Sequence, residues 1–151
     1  MPDRNLTQLQ KIGGLRLRRS ERELKAARSA LSEAEAARTQ AEESLQDQTA
    51  QMHKAKQESY ANPALEQAWI WQNVSERKRQ NAAVHHDNMC SVEQKCEEGL
   101  KQAGQALLKS QVKQDGFATV IRQHNKAEER KTEDALAEER QDSLHHRPRM
   151  I

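Results

Sequence analysis

Apolar residues recur on a fixed seven-residue frame through the first third of the chain. Leu17, Leu24, Leu31, Leu45 and Met52 share the frame, with Arg38 in the remaining slot, and Ala27, Ala34, Ala41 and Ala55 stand three residues later. A large residue at one seam position and alanine at the other is the heptad of a helix that pairs along a narrow stripe. A second frame runs through Met89, Cys96, Ala103, Ser110, Phe117 and His124. Val92, Gly99, Ala106, Val120 and Ala127 lie three positions on, with Leu100, Leu107 and Ile121 flanking the stripe. Each stripe buries little alone, so each helix needs the other.

The break between the frames sets the topology. In "YANPALEQAWIW", Asn62 suits an N-cap and Pro63 the first helical turn, where its missing N–H costs nothing. A link this short predicts antiparallel neighbours. Folding the chain so that paired positions add to about 124 sets Leu17 against Leu107, Leu24 against Leu100 and Leu31 beside Val92. The predicted fold is all-α: a long antiparallel two-helix coiled-coil hairpin with a C-terminal helical overhang, a single elongated domain over 1–151. The first helix covers about 3–59, the tip about 60–64 and the second helix about 63–145. From about His124 the second helix has no partner within the chain, and Pro148 stops it. The stretch "SERKRQNAAVHHDN" carries a thin apolar stripe, which predicts the loosest packing there.

Composition supports helices over a compact core. Charged residues make up 32% and aromatic residues 3%, too few for an ordinary globular interior. Three of the four aromatics gather at Tyr60, Trp69 and Trp71. Trp69 and Trp71 point some 200° apart, so both cannot enter one narrow seam, and at least one is expected to stay exposed. The cluster either caps the helix pair or docks a partner.

Features that suggest chemistry do not assemble into a site. Cys90 and Cys96 are six residues apart on different faces and cannot form a disulfide with each other. His85 and His86 diverge by about 100°, and neither is expected to find a suitable metal ligand four residues on. His145 and His146 read as a polar terminus. There is no phosphate-binding glycine loop and no nucleophile beside a base, so neither catalysis nor a metal or cofactor is expected. The longest apolar run, around Ala64 to Trp71, is too short and polar to span a bilayer, and without a signal peptide a reducing cytoplasm is the expected compartment.

Net charge is only +2, but it is unevenly distributed. Met1 to Ala30 carries eight Arg or Lys against three acids, whereas Leu31 to Ser59 carries six acids against three bases. The arginines are interleaved with glutamates and no aromatic stands near them, which disfavours nucleic acid and favours an acidic protein surface.

The run "LQKIGGLRLRRSERELKAARSAL", Leu9 to Leu31, resembles the opening of the stalk proteins of bacterial type III secretion, the YscO and FliJ (SctO) family, whose first helix begins with spaced leucines and an Arg-rich, Glu-containing segment. Chain length, scarce aromatics, the off-centre break and the charged C-terminal segment agree with that resemblance. The pair Gly13-Gly14 departs from a clean helix.

The resemblance implies a central shaft of an export ATPase: a monomeric hairpin at the cytoplasmic base of a membrane secretion apparatus. Its open end would enter a hexameric export ATPase and its tip would reach the export gate, promoting ATPase assembly and activity and handling substrates or secretion chaperones. Carried onto this sequence, the ATPase-ring residues are Leu6, Leu9, Ile12, Leu15, Arg16, Arg18, Arg19, Arg22, Phe117, Val120 and Ile121, joined by Leu17. The tip residues for the gate are Leu65, Trp69, Ile70, Trp71 and Val74. An injectisome is favoured over a flagellum. The competing reading is a generic coiled-coil adaptor or export chaperone, which would sediment as an elongated dimer; an enzyme would carry a cofactor or metal visible to elemental analysis.

Overall fold

A computed structural model describes residues 4–146 as two long helices packed against each other, α1 (Arg4–Ala61) and α2 (Glu66–His145). The expected start at residue 3 and the stop at Pro148 lie outside the described residues. Gly13 and Gly14 do not break α1, and no described residue has a positive φ. The contacts divide into two compact units, Arg22–Gln105 and a second whose described part is 4–21 with 106–146.

Within Arg22–Gln105, burial on α1 follows the heptad. Ala34, Ala41, Met52, Ala55 and Ser59 are buried, and Leu24, Ala27, Leu31, Arg38, Leu45 and Gln48 are half-buried. On α2 the first column is as expected, with Met89, Cys96 and Ala103 turned inward, but the second lies four residues after Met89 rather than three. Glu93 and Leu100 are half-buried while Val92 is 42% exposed, although Gly99 of the expected column is half-buried too. The columns alternate by three and four residues. Reading Met89 as the first rather than the second position of its heptad therefore moves the neighbouring column by one residue.

The pairing is also displaced. Arg38 Nε forms an ion pair with Glu93, and Ser59 Oγ hydrogen-bonds Gln72 Oε1 at 2.5 Å, so partners fall along α2 as they rise along α1. Both pairs add to 131. That is seven more than 124, one full heptad, and a seven-residue repeat cannot distinguish registers that differ by seven. At the tip end of the stretch expected to be loose, small side chains pack closely: Ala55 and Ser59 are fully buried and Ser75 is 3% exposed, while Glu76, Arg79, Ala82, Ala83 and His86 further along it are only half-buried.

The connection differs from the expected cap. The Asn62 N–H donates to Glu58 O at 2.9 Å, continuing α1, and the Asn62 carbonyl accepts Leu65 N–H at 3.1 Å. Pro63 thus takes the second position of a turn, where its fixed φ fits. The Leu65 carbonyl accepts Ala68 N–H at 3.1 Å, and α2 starts at Glu66.

In the other unit, Ser20 and Ser110 hydroxyls meet at 3.2 Å, and Gln114 Nε2 donates to Gln10 O at 3.5 Å. A Cβ on Gly13 would collide with Gln114 Oε1 and stand 3.4 Å from Phe117 Cδ2. Glycine here leaves room for the Gln114 side-chain amide, with Phe117 at ordinary van der Waals distance. Val120 is 47% exposed and Ala127 is exposed, while Gln114, Ile121, His124 and Glu128 are half-buried, the same one-residue shift of column. The last half-buried position is Glu128, a few residues after His124, and every residue over 129–146 is exposed.

Candidate functional site

Two surfaces collect the residues singled out from the sequence. In the unit formed by 4–21 and 106–146, Leu9, Ile12, Gly13, Arg16, Lys109, Ser110, Lys113 and Phe117 line an open groove of about 390 Å³. The seam turns Phe117 inward, and Gly13 leaves the floor open. Leu9 and Ile12 stay more than two-fifths exposed at the rim, and Arg16, Lys109 and Lys113 surround them with positive charge. Such a lining suits an apolar side chain on an acidic partner surface.

Leu15 is exposed on another face, beside Lys11, Gly14 and Arg18. Leu6, Leu17 and Ile121 are half-buried in the seam, Val120 faces outward, and Arg18 and Arg19 are exposed. Arg22 is exposed but belongs to the other unit. Of the eleven residues expected to form one ring-binding set, Leu9, Ile12, Arg16 and Phe117 therefore share a groove. Lys109 and Lys113 join them and were missed; their signal was the spacing of two lysines eight and four residues before Phe117 on one helical face.

The second surface lies at the helix connection, within Arg22–Gln105. Leu65, Trp69, Ile70, Trp71 and Val74 are all exposed, as is Tyr60. The Trp69 indole N–H donates to Pro63 O at 3.0 Å, so this ring braces the turn while keeping 42% of its surface in solvent. Trp71 borders a separate shallow groove with Glu58, Asn62, Leu65, Gln67 and Ala68. Below this cluster, Arg79 Nη2 holds Glu76 Oε1 at 2.7 Å. That hydrogen bond and charge lower the Glu76 carboxyl from its ordinary value and raise the Arg79 guanidinium.

One reading of the sequence needs correction. Cys90 stands four residues after His86, and its Sγ is 3.8 Å from His86 Nε2, so a soft ligand does occupy that position. Both cysteines are free, and among the described residues no group of three or more His, Cys, Asp or Glu side chains could hold a metal ion. No helix among these residues is long and apolar enough to cross a membrane.

The chain matches no family model, no curated protein and no solved structure.

Proposed function

We propose that the chain is a long antiparallel coiled-coil hairpin serving as the central stalk of a bacterial type III secretion ATPase. In this reading the terminal segments engage a hexameric export ATPase, and the helix connection faces the membrane export gate. The protein acts mechanically: two helices present unlike faces around their circumference, so a sixfold ring meets them unequally and its subunits are driven into different states. Handling of secretion chaperones or substrates would use the same helical surfaces, with the protein held in the cytoplasm at the base of an injectisome.

The observation that carries this reading is the groove of Leu9, Ile12, Arg16, Lys109, Lys113 and Phe117, an apolar floor with a basic rim in the unit that holds the segments nearest both termini. The exposed helical stretch 129–146 adds a second contact. Its six acids against three bases would suit different ring residues from those facing the groove.

The test is stimulation of ATP hydrolysis by a purified hexameric export ATPase from the same source. The full chain should accelerate turnover, whereas Leu9→Ser with Ile12→Ser, or truncation after Glu128, should abolish the effect while helicity persists. No stimulation by the full chain, together with an elongated dimer in sedimentation, would replace the stalk with a coiled-coil adaptor or export chaperone.

A further inference from the structure

We propose that the helix connection adsorbs to the interfacial layer of an anionic lipid bilayer, with Trp69 and Trp71 at headgroup level and the helices remaining outside the hydrocarbon. This goes beyond the stalk reading and does not depend on it.

The distribution of apolar side chains around α2 separates a bilayer from a protein groove. With Leu65 at 0° and about 100° per residue, Trp69 lies near 40°, Ile70 near 140°, Val74 near 180° and Trp71 near 240°. Ala68, Ser75 and Gln72, the less exposed positions that face α1, occupy roughly 280° to 340°. Apolar side chains thus point to several sides of the arc that α1 leaves open, with the exposed polar residues Asn73, Glu66 and Gln67 between them near 80°, 100° and 200°. A groove on a protein receives one face of a helix. A planar interface receives every face at one depth, and Leu65 to Val74 spans only about 14 Å along the axis.

Polar groups at this end are arranged for a drier medium. The indole N–H of Trp69 already has its acceptor in Pro63 O, and Ser59 Oγ already serves Gln72 Oε1, so adsorption leaves neither pair stranded. Beyond the apolar belt stand the exposed cations Lys54, Lys56, Arg77 and Lys78. Arg77 is about 9 Å along the helix from Trp71, the offset that places a cation among phosphates when an indole sits just below them. Of the acids in this region, Glu76 is compensated by Arg79, leaving Glu58 and Glu66 against four cations. Since no described helix can cross a membrane, the contact stays interfacial.

The chain carries its own reporters, because Trp69 and Trp71 are its only tryptophans. Full-length protein is titrated with vesicles of phosphatidylglycerol and phosphatidylethanolamine, and with phosphatidylcholine vesicles as the neutral arm. The emission should shift to the blue and be quenched by lipids brominated near the headgroup, with weaker binding to neutral vesicles and in high salt. Ile70→Ser with Val74→Ser removes a face distant from Trp71 and should weaken partition about tenfold. Arg77→Ser with Lys78→Ser should weaken it on the order of twentyfold on anionic vesicles only. Circular dichroism confirms that each variant remains helical. Unchanged emission and no co-sedimentation with anionic vesicles would overturn the proposal. So would tryptophan emission that ignores vesicles but shifts on adding the soluble domain of an export gate, which would assign the surface to a protein. Failure of either kind leaves stimulation of the ATPase untouched, so the two readings fail separately.

Discussion

Replacing Arg38 and Glu93 together by leucine tests what selects one register from several that the heptad allows. The pair sits in the seam with side-chain exposures of 33% and 16%, and Arg38 also reaches Glu42 at 3.3 Å. Exposed pairs contribute about 0.2–1 kcal/mol, and breaking a fully buried pair costs about 3–5 kcal/mol. A third-exposed arginine against a mostly covered glutamate falls between, so Glu93→Leu alone should cost roughly 1–2 kcal/mol, moderated because Glu42 still serves Arg38. Arg38→Leu alone leaves Glu93 without that cation and should cost a similar amount. The double variant should recover most of the loss, since two leucines fill a seam that needs apolar area. A urea double-mutant cycle followed by circular dichroism measures this coupling.

Register itself is read through a native thiol. In the observed pairing Ala34 stands level with Cys96, and a slip of one heptad would bring Ala27 there instead. In a Cys90→Ser background, Ala34→Cys should oxidise to an intramolecular disulfide with Cys96 and Ala27→Cys should not. After both seam charges become leucine, the Ala27→Cys bridge should appear. Coupling below about 0.3 kcal/mol, within ordinary additivity error, or an Ala27→Cys chain that never closes in the double-leucine background, would refute a register-setting role.

Three further outcomes follow from single positions. Gly14→Ala should stabilise by about 0.5–1 kcal/mol in thermal unfolding, since its Cβ would stand 4.0 Å from Gln114 Nε2, whereas Gly13→Ala should gain less because it must displace the Gln114 side chain. Ser59→Ala should cost about 1 kcal/mol by orphaning Gln72 Oε1 in the covered seam, and adding Gln72→Leu should restore stability. The Arg79 hydrogen bond lowers the Glu76 carboxyl, so its contribution is present above the ordinary Glu value and is lost as pH falls through the lowered one; NMR titration should show Glu76 moving back toward its ordinary value in Arg79→Gln.

Helix identity, the break and the buried face of α1 were legible because each depends on local order in the sequence. Alanine every seven residues leaves a stripe that only a paired helix can bury, and the turn must fall where proline forbids another intrahelical N–H. Register was not legible because Leu17 to Met52 repeats with the same period as the error. The nonrepeating residue was Arg38, and it mattered only once its complement was identified as Glu93. The second column of α2 was misplaced for a related reason. Val92 is more apolar than Glu93 and drew the column to its side of Met89, although Leu100, Leu107 and Ile121 outweigh Gly99, Ala106 and Val120 along the rest of the stripe.

The groove shows where such reading stops. Leu9, Ile12 and Arg16 form one helical face and could be grouped from sequence, but Lys109 and Lys113 join them only through the spatial partner of that face. Once the register is one heptad longer, every residue of α2 assigned to an α1 neighbour changes, so a site spanning both helices inherits the whole error. Surfaces on a single helix escape it: Trp69, Ile70, Trp71 and Val74 keep their mutual angles whatever lies opposite. In a two-helix protein with a repeating seam, a single-helix surface can therefore be assigned from sequence with more security than a two-helix groove. The Ala27→Cys and Ala34→Cys comparison consequently bears on function as well as fold. A chain that slipped one heptad would separate Ile12 from the lysines that complete its groove, while Trp69, Ile70, Trp71 and Val74 would keep their angles around α2. ATPase stimulation should then fall in the double-leucine variant, and vesicle binding should not.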